Sequence, residues 1–126
     1  MLHSDLQPFY WRFRHVRVMV RFRWLALLIN FLFKHFAAGK NIDGLDCEER
    51  FVPSADGGSE IRIRIFKPRE QKGPLPILVY LHGGGYVLGN PEMSAAVIHR
   101  FIESRPCIVV APDYRKAYTA PFPGGF

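Results

Sequence analysis

The run Val79-Tyr80-Leu81-His82-Gly83-Gly84-Gly85-Tyr86 is an apolar stretch that ends in a histidine and breaks into three consecutive glycines. Packing gives no reason for such a run, because each glycine raises the entropy cost of ordering the backbone and supplies no side chain. It makes sense where the main chain must bend sharply and turn its own N–H groups toward something bound close by. Donors aimed in advance at developing negative charge stabilise the oxyanion of acyl transfer, and losing one costs roughly 3 kcal/mol of the barrier.

The elements that must position this loop follow from the apolar pattern. Ile77–Leu81 is a continuous apolar run of strand length, expected of a parallel strand covered on both faces. After the glycines, Asn90 can cap a helix with Pro91 at its first position. Ala95, Ile98, Phe101 and Ile102 continue it as an apolar stripe that ends before Pro106. Cys107–Ala111 is a second all-apolar strand, closed by Pro112. Strand, glycine loop, helix and strand form a βαβ unit, whose crossover implies a parallel sheet. Upstream, Glu49–Pro53 and Glu60–Phe66 read as two strands of a hairpin joined by a turn around Asp56-Gly57-Gly58. In the second, Ile61, Ile63 and Ile65 alternate with Arg62 and Arg64, which predicts a half-buried strand with a solvated arginine face. Gly39–Asp46 reads as a linker.

The first forty residues differ in character. Residues 1–40 hold seven Lys/Arg and one acidic residue, while 41–126 hold ten of each, so the net charge of +6 belongs to the N-terminal segment. Within Pro8–Phe36, Phe13, Val16, Val20, Trp24, Leu27 and Phe31 recur at helical steps, and Arg14, Arg17 and Arg21 share another face. From Trp24 to Phe33 only Asn30 is polar, a run about half the ~20 residues needed to span a bilayer. Three readings stay open: a helix folded over a substrate site, a basic amphipathic helix at a membrane surface, or a cleaved signal. The chain thus divides into a basic, aromatic helical segment (1–40) and a second region (41–126). A nucleic-acid partner would rest on the first segment alone and is not expected.

Cys47 and Cys107 lie far apart with no CxxC spacing and read as two free thiols, Cys107 buried. They give no sign of an oxidising compartment, which leaves a cytoplasmic or membrane-associated location open. His3, His15, His35 and His99 share no spacing, so neither a metal nor any other cofactor is implied.

From Ile77 to Phe126 the sequence resembles the hormone-sensitive-lipase-like branch (fold-3 esterases) of the α/β-hydrolase superfamily. The resemblance is carried by His82-Gly83-Gly84-Gly85-Tyr86, by Val110-Ala111-Pro112-Asp113-Tyr114-Arg115, and by the tail Pro121-Phe122-Pro123. It implies a partial α/β-hydrolase sheet and a small-molecule ester as the substrate of the complete enzyme. It also implies that the N–H groups of Gly84 and Gly85 form the oxyanion hole, that Gly83 gives the bend, and that His82 braces the loop rather than acting as base. Tyr86 would line the substrate pocket, and Asp113, Tyr114 and Arg115 would hold the neighbouring turn. Asp113 and Arg115 are expected as a fixed ion pair that does not meet substrate.

Two departures stand out. Where the family continues Tyr-Arg with Leu-Ala-Pro-Glu, this chain has Lys116-Ala117-Tyr118-Thr119, which puts the geometry of the turn in question. None of Ser4, Ser54, Ser59, Ser94 or Ser104 lies in a Gly-x-Ser-x-Gly elbow, and no histidine follows His99. The catalytic triad is therefore expected to be absent and the chain inactive by itself, an N-terminal portion of such a hydrolase. The strand bearing the nucleophile would pair beside Ile77–Leu81, so an unpaired edge there predicts self-association. The alternative is a non-catalytic product that binds a membrane or a partner through residues 8–36.

Overall fold

The computed structural model describes residues 22–70 and 73–122. Phe13, Arg14, Val16, Arg17, Val20, Arg21 and Pro123 lie outside them. A helix, α1 (Arg23–Phe36), precedes the hairpin β1 (Leu45–Pro53) and β2 (Glu60–Pro68). Then come β3 (Ile77–Val79), a 3₁₀ turn (Pro91–Ser94), α2 (Ala95–Ser104) and β4 (Ile108–Asp113). The sheet order is β1-β2-β4-β3, with β1 and β2 antiparallel, β2 and β4 antiparallel, and β3 and β4 parallel. The expected hairpin and βαβ unit are both present. Asn90 caps the 3₁₀ turn as anticipated, its Oδ1 accepting from the Met93 N–H at 3.2 Å. The linker is shorter than expected, because β1 begins at Leu45 and pairs with Pro68.

The core lies on one face of this sheet. Phe66, Val109 and Ala111 are buried there against Ile98 and Ile102 of α2, with Leu45 and Cys107 at the margins and Leu78 and Tyr80 packed alongside. Cys47 and Cys107 are free thiols, the latter buried. The other face is open. Ile77, Val79 and Leu81 are 66%, 63% and 63% exposed, so β3 is not covered on both faces as its unbroken apolar run suggested. α2 packs where Leu78 and Tyr80 point, and no described element covers the opposite side.

The alternation in β2 is real, but its faces are reversed from the expectation. Arg64 pairs across the sheet with Ala111 and Phe66 with Val109, which places Arg62, Arg64 and Phe66 on the packed side. Ile61, Ile63 and Ile65 are only half-buried on the other. Period-two alternation separates two faces without saying which is inward; Phe66, in register with the arginines, settles it.

An inward arginine requires partners, and Glu92 supplies them. The Arg62 guanidinium donates to both Glu92 carboxylate oxygens, at 2.7 and 2.9 Å, to Asp113 Oδ2 at 2.9 Å and to Glu49 Oε2 at 2.9 Å. Arg64 Nη2 donates to Asn41 Oδ1 at 2.9 Å and to the Lys40 carbonyl at 3.1 Å, with its Nε 3.4 Å from Glu92. The Gly39 N–H also donates to Glu92, whose side chain is 3% exposed. Burial alone would push the Glu92 carboxyl upward, but the Arg62 and Gly39 hydrogen bonds outweigh it and hold the group below its ordinary range. The cluster ties β1, β2, β4 and the Pro91–Ser94 turn together.

Removing one member of a buried pair strands the other. Arg62→Leu is expected to cost about 3–5 kcal/mol in urea unfolding, and Arg62→Leu/Glu92→Leu to recover part of that loss. A single variant within about 1 kcal/mol of the parent would mean that the cluster behaves as a surface pair.

Candidate active site

The glycine run leaves β3 and turns back within a few residues, and its backbone explains its composition. Gly84, Gly85 and Tyr86 have φ of +123°, +61° and +61° in succession. A Cβ on Gly84 would lie 1.9 Å from the Leu88 carbonyl oxygen, whereas one on Gly85 would meet nothing within 4 Å. Gly84 is therefore dictated by both space and conformation, and Gly85 by conformation alone. The Val87 and Leu88 N–H groups donate to the Gly84 carbonyl at 3.1 and 3.0 Å, closing a tight turn. Among the described residues no backbone carbonyl accepts from the Gly84 or Gly85 N–H, and both glycines are exposed.

The run is held at both ends by the segment that follows β4. The Tyr114 hydroxyl donates to the His82 carbonyl at 2.7 Å, and the Ala117 N–H donates to the Tyr86 carbonyl at 2.8 Å. α1 holds the far side of the loop: Asn30 Nδ2 donates to the Val87 carbonyl at 2.7 Å, and its Oδ1 accepts from the Gly89 N–H at 3.0 Å. Asn90 Nδ2 adds a bond to the Phe33 carbonyl at 3.2 Å. The docked side of α1 is accordingly Ala26, Asn30 and Phe33, while Trp24, Leu27 and Phe31 of the expected apolar stripe face outward.

His82 is buried beneath the loop. Its ring stacks on Tyr114, centroids 4.3 Å apart and 10° from parallel, and its Nδ1 lies 2.7 Å from the Gly83 carbonyl oxygen. Lys116 Nζ lies 3.3 Å from His82 Nε2, and also donates to Asp113 Oδ1 at 2.9 Å and to the Tyr114 carbonyl at 2.6 Å. Burial, reinforced by the Lys116 charge, pulls the imidazole below its ordinary value of 6.5 despite the opposing bond to Gly83. Burial likewise lowers the Lys116 ammonium, with Asp113 opposing.

The structure brings His82, Gly83, Tyr86 and Tyr114 together, with the Tyr86 and Tyr114 ring centroids 5.9 Å apart. Asp113 joins through Lys116 and Arg62. Arg115 does not: its guanidinium donates to Asp56 Oδ2 at 2.7 Å, in the β1–β2 turn. The expected Asp113–Arg115 ion pair does not form, because Arg62 and Lys116 claim Asp113 while Asp56 claims Arg115. A cavity of about 740 Å³ adjoins the site, lined by Asn30, Lys34, Glu49, Arg62, Asp113 and Lys116 among others. None of Gly83, Gly84 or Gly85 lines it, so the loop faces outside that cavity. No cluster of metal-ligating side chains occurs among the described residues. Sequence reading overlooked Lys116, Asn30 and Glu92 as structural participants. The signal for Asn30 was present, as the lone polar residue in an apolar helix.

Gly84→Ala is expected to destabilise the chain by about 2–5 kcal/mol, through clash and left-handed strain, and Gly85→Ala by about 1–2 kcal/mol, from strain alone; thermal or urea unfolding of the two variants compares them. His82 binds its proton less readily folded than unfolded, so its contribution to stability is complete above 6.5 and is lost as pH falls through the window beneath. The His82 ring resonances should accordingly titrate in NMR with a midpoint below 6.5.

Residues 78–126 match the family model described as alpha/beta hydrolase fold. The chain is 38% identical over 81 residues to carboxylesterase NlhH of Mycobacterium tuberculosis, a match spanning 64% of this chain and 25% of that protein. It is 38% identical over 65 residues to 3-O-acetylpapaveroxine carboxylesterase CXE1 of Papaver somniferum, spanning 44% and 20%. Among solved structures, a bacterial heroin esterase superposes with a TM-score of 0.65 at 30% identity, covering 80% of this chain and 32% of its own. The Pyrobaculum calidifontis esterase gives 0.58 at 32% identity, covering 87% and 33%. The chain therefore spans about a quarter of these curated relatives and a third of the solved structures. With a βαβ unit and its antiparallel hairpin in place, the chain has a partial α/β-hydrolase fold, and over residues 78–126 it matches that family.

Proposed function

We propose that the chain supplies the oxyanion-binding loop of a carboxylic-ester hydrolase. The N–H groups of Gly84 and Gly85 receive the carbonyl oxygen of a short- or medium-chain ester as it becomes negative. Gly83 gives the bend, His82 braces it, Tyr86 borders the bound acyl or alcohol group, and Tyr114 with Asp113 holds the adjoining turn. Arg115, bound to Asp56, takes no part in the loop. The observation that carries this reading is a pair of exposed amides, unclaimed by backbone carbonyls among the described residues, on a turn fixed at both ends. Polarising a carbonyl is half of the chemistry. The sequence offers no Gly-x-Ser-x-Gly elbow to attack it, so 1–126 is expected to be inactive alone. Residues 41–126 would be the hydrolase portion and 1–40 a distinct segment, of which α1 lies against the loop.

Butyrate, a product-like carboxylate, should shift the Gly84 and Gly85 amide resonances, while p-nitrophenyl butyrate is hydrolysed no faster than in buffer. Unmoved amides would overturn the oxyanion assignment, and turnover that vanishes with Gly84→Ala would overturn the expected inactivity of 1–126.

A second reading, contact with a membrane surface, draws on the outward side of α1. Trp24, Leu28, Phe31 and Phe36 are exposed there, although no described helix is long and apolar enough to cross a bilayer. Salt-sensitive co-sedimentation with anionic vesicles, lost in Trp24→Ser/Phe31→Ser, favours it over a purely catalytic helix.

A further inference from the structure

We propose that Lys116, the residue that departs from the family pattern, is a positioning residue: it fixes the tautomer of His82 and through it the start of the glycine loop. An ammonium has three donors and no acceptor. Lys116 meets three acceptors, Asp113 Oδ1 at 2.9 Å, the Tyr114 carbonyl at 2.6 Å and His82 Nε2 at 3.3 Å. Its side chain is 13% exposed, and Nζ sits 4.3 Å from the centre of the Tyr114 ring. Because Lys116 can only donate, Nε2 must carry a lone pair. The Gly83 carbonyl can only accept, so Nδ1, 2.7 Å away, must carry the proton. Two independent contacts on opposite sides of the ring thus demand the same neutral form.

The alternative form has a waiting partner. Asp113 Oδ1 lies 3.9 Å from Nε2, beyond hydrogen-bond reach, while Lys116 Nζ bridges the two. Without the ammonium, Nε2–H can turn to Asp113, the common histidine–carboxylate arrangement. A bare Nδ1 would then oppose the Gly83 carbonyl, lone pair to lone pair. It would also compete for the Tyr114 hydroxyl, already 3.4 Å away, which now holds the His82 carbonyl. Two bonds at the base of the loop are lost together. Asp113 at the end of β4 and Tyr114 and Lys116 just after it face the ring, and Glu92 acts on it from the Pro91–Ser94 turn.

The consequence for an oxyanion rests on the proposed function; the tautomer does not. The test is ¹⁵N NMR of the imidazole nitrogens in the full chain near neutral pH. The parent is expected to show protonated Nδ1 and bare Nε2 at His82. Lys116→Leu should populate the Nε2–H form, raise the His82 titration midpoint and shift the Gly83 amide, whereas Lys116→Arg, which keeps a donor, should retain Nδ1–H. A parent with Nε2–H, or a Lys116→Leu variant with an unchanged tautomer, overturns the proposal. Should the leucine variant not fold, the parent still decides. Lys116 ammonium protons slowed in exchange and in Overhauser contact with the His82 ring support the lock, and their absence overturns it. Butyrate-insensitive Gly84 and Gly85 amides beside the expected tautomer would leave the lock standing and remove only the oxyanion reading.

Discussion

Two hydrogen bonds from the turn after β4, one to the His82 carbonyl and one to the Tyr86 carbonyl, clamp the glycine run at both ends. Fixing a backbone residue costs about 1–2 kcal/mol of entropy, more for glycine, so three in a row resist ordering by several kcal/mol. A single bond contributes about 0.5–1.5 kcal/mol net. No one contact holds the loop. The two clamps act with the Asn30 pair from α1 and the Val87 and Leu88 bonds to the Gly84 carbonyl, and only their sum is of the right size. The loop is a product of α1, β3 and β4 together.

The turn after β4 is itself anchored from below. Asp113 is shared, one oxygen taken by Arg62 and the other by Lys116. A continuous path of polar contacts therefore runs from Glu92 through Arg62, Asp113 and Lys116 to His82 and the Gly83 carbonyl. In a buried setting such a path is favourable only when every member is satisfied. Lys116 is satisfied by three acceptors, and Arg62 by three carboxylates. The network links the interior of the sheet to the loop at its rim, joining Arg62 to the glycines by contacts although the two do not touch.

Much of this was legible in the residues. Strand, glycine loop, helix and strand followed from apolar runs of strand length punctuated by glycine and proline, and the hairpin from alternation on either side of Asp56-Gly57-Gly58. The motif His82-Gly83-Gly84-Gly85 gave the loop its place. What was hidden depended on partners distant in sequence. Arg62 and Arg64 look solvated until Glu92, some thirty residues on, is known to meet them. Asp113 and Arg115, neighbours in sequence, look like a pair until Arg62 and Asp56 are seen to claim them separately. β3 reads as doubly covered, since an apolar run does not reveal which of its faces a helix reaches. Lys116 looked like damage to a family pattern because an isolated charge at an apolar position carries no sign of its acceptors.

Lys116 also shows why a departure from a motif need not undo its geometry. A leucine there could fill the space beside Tyr114, but it would leave Asp113 Oδ1, the Tyr114 carbonyl and His82 Nε2 without the donor they share. Unmatched acceptors in a buried site cost about 1–3 kcal/mol each, so a chain that loses the lysine must find other donors or rearrange the histidine. The lysine instead stacks its charge over the Tyr114 ring and saturates all three. The bonds that shape the loop come from the packed side of the sheet and from α1, while Ile77, Val79 and Leu81 lie bare on the other side. The loop that carries the Gly84 and Gly85 amides is therefore held by contacts that do not involve the bare face of β3.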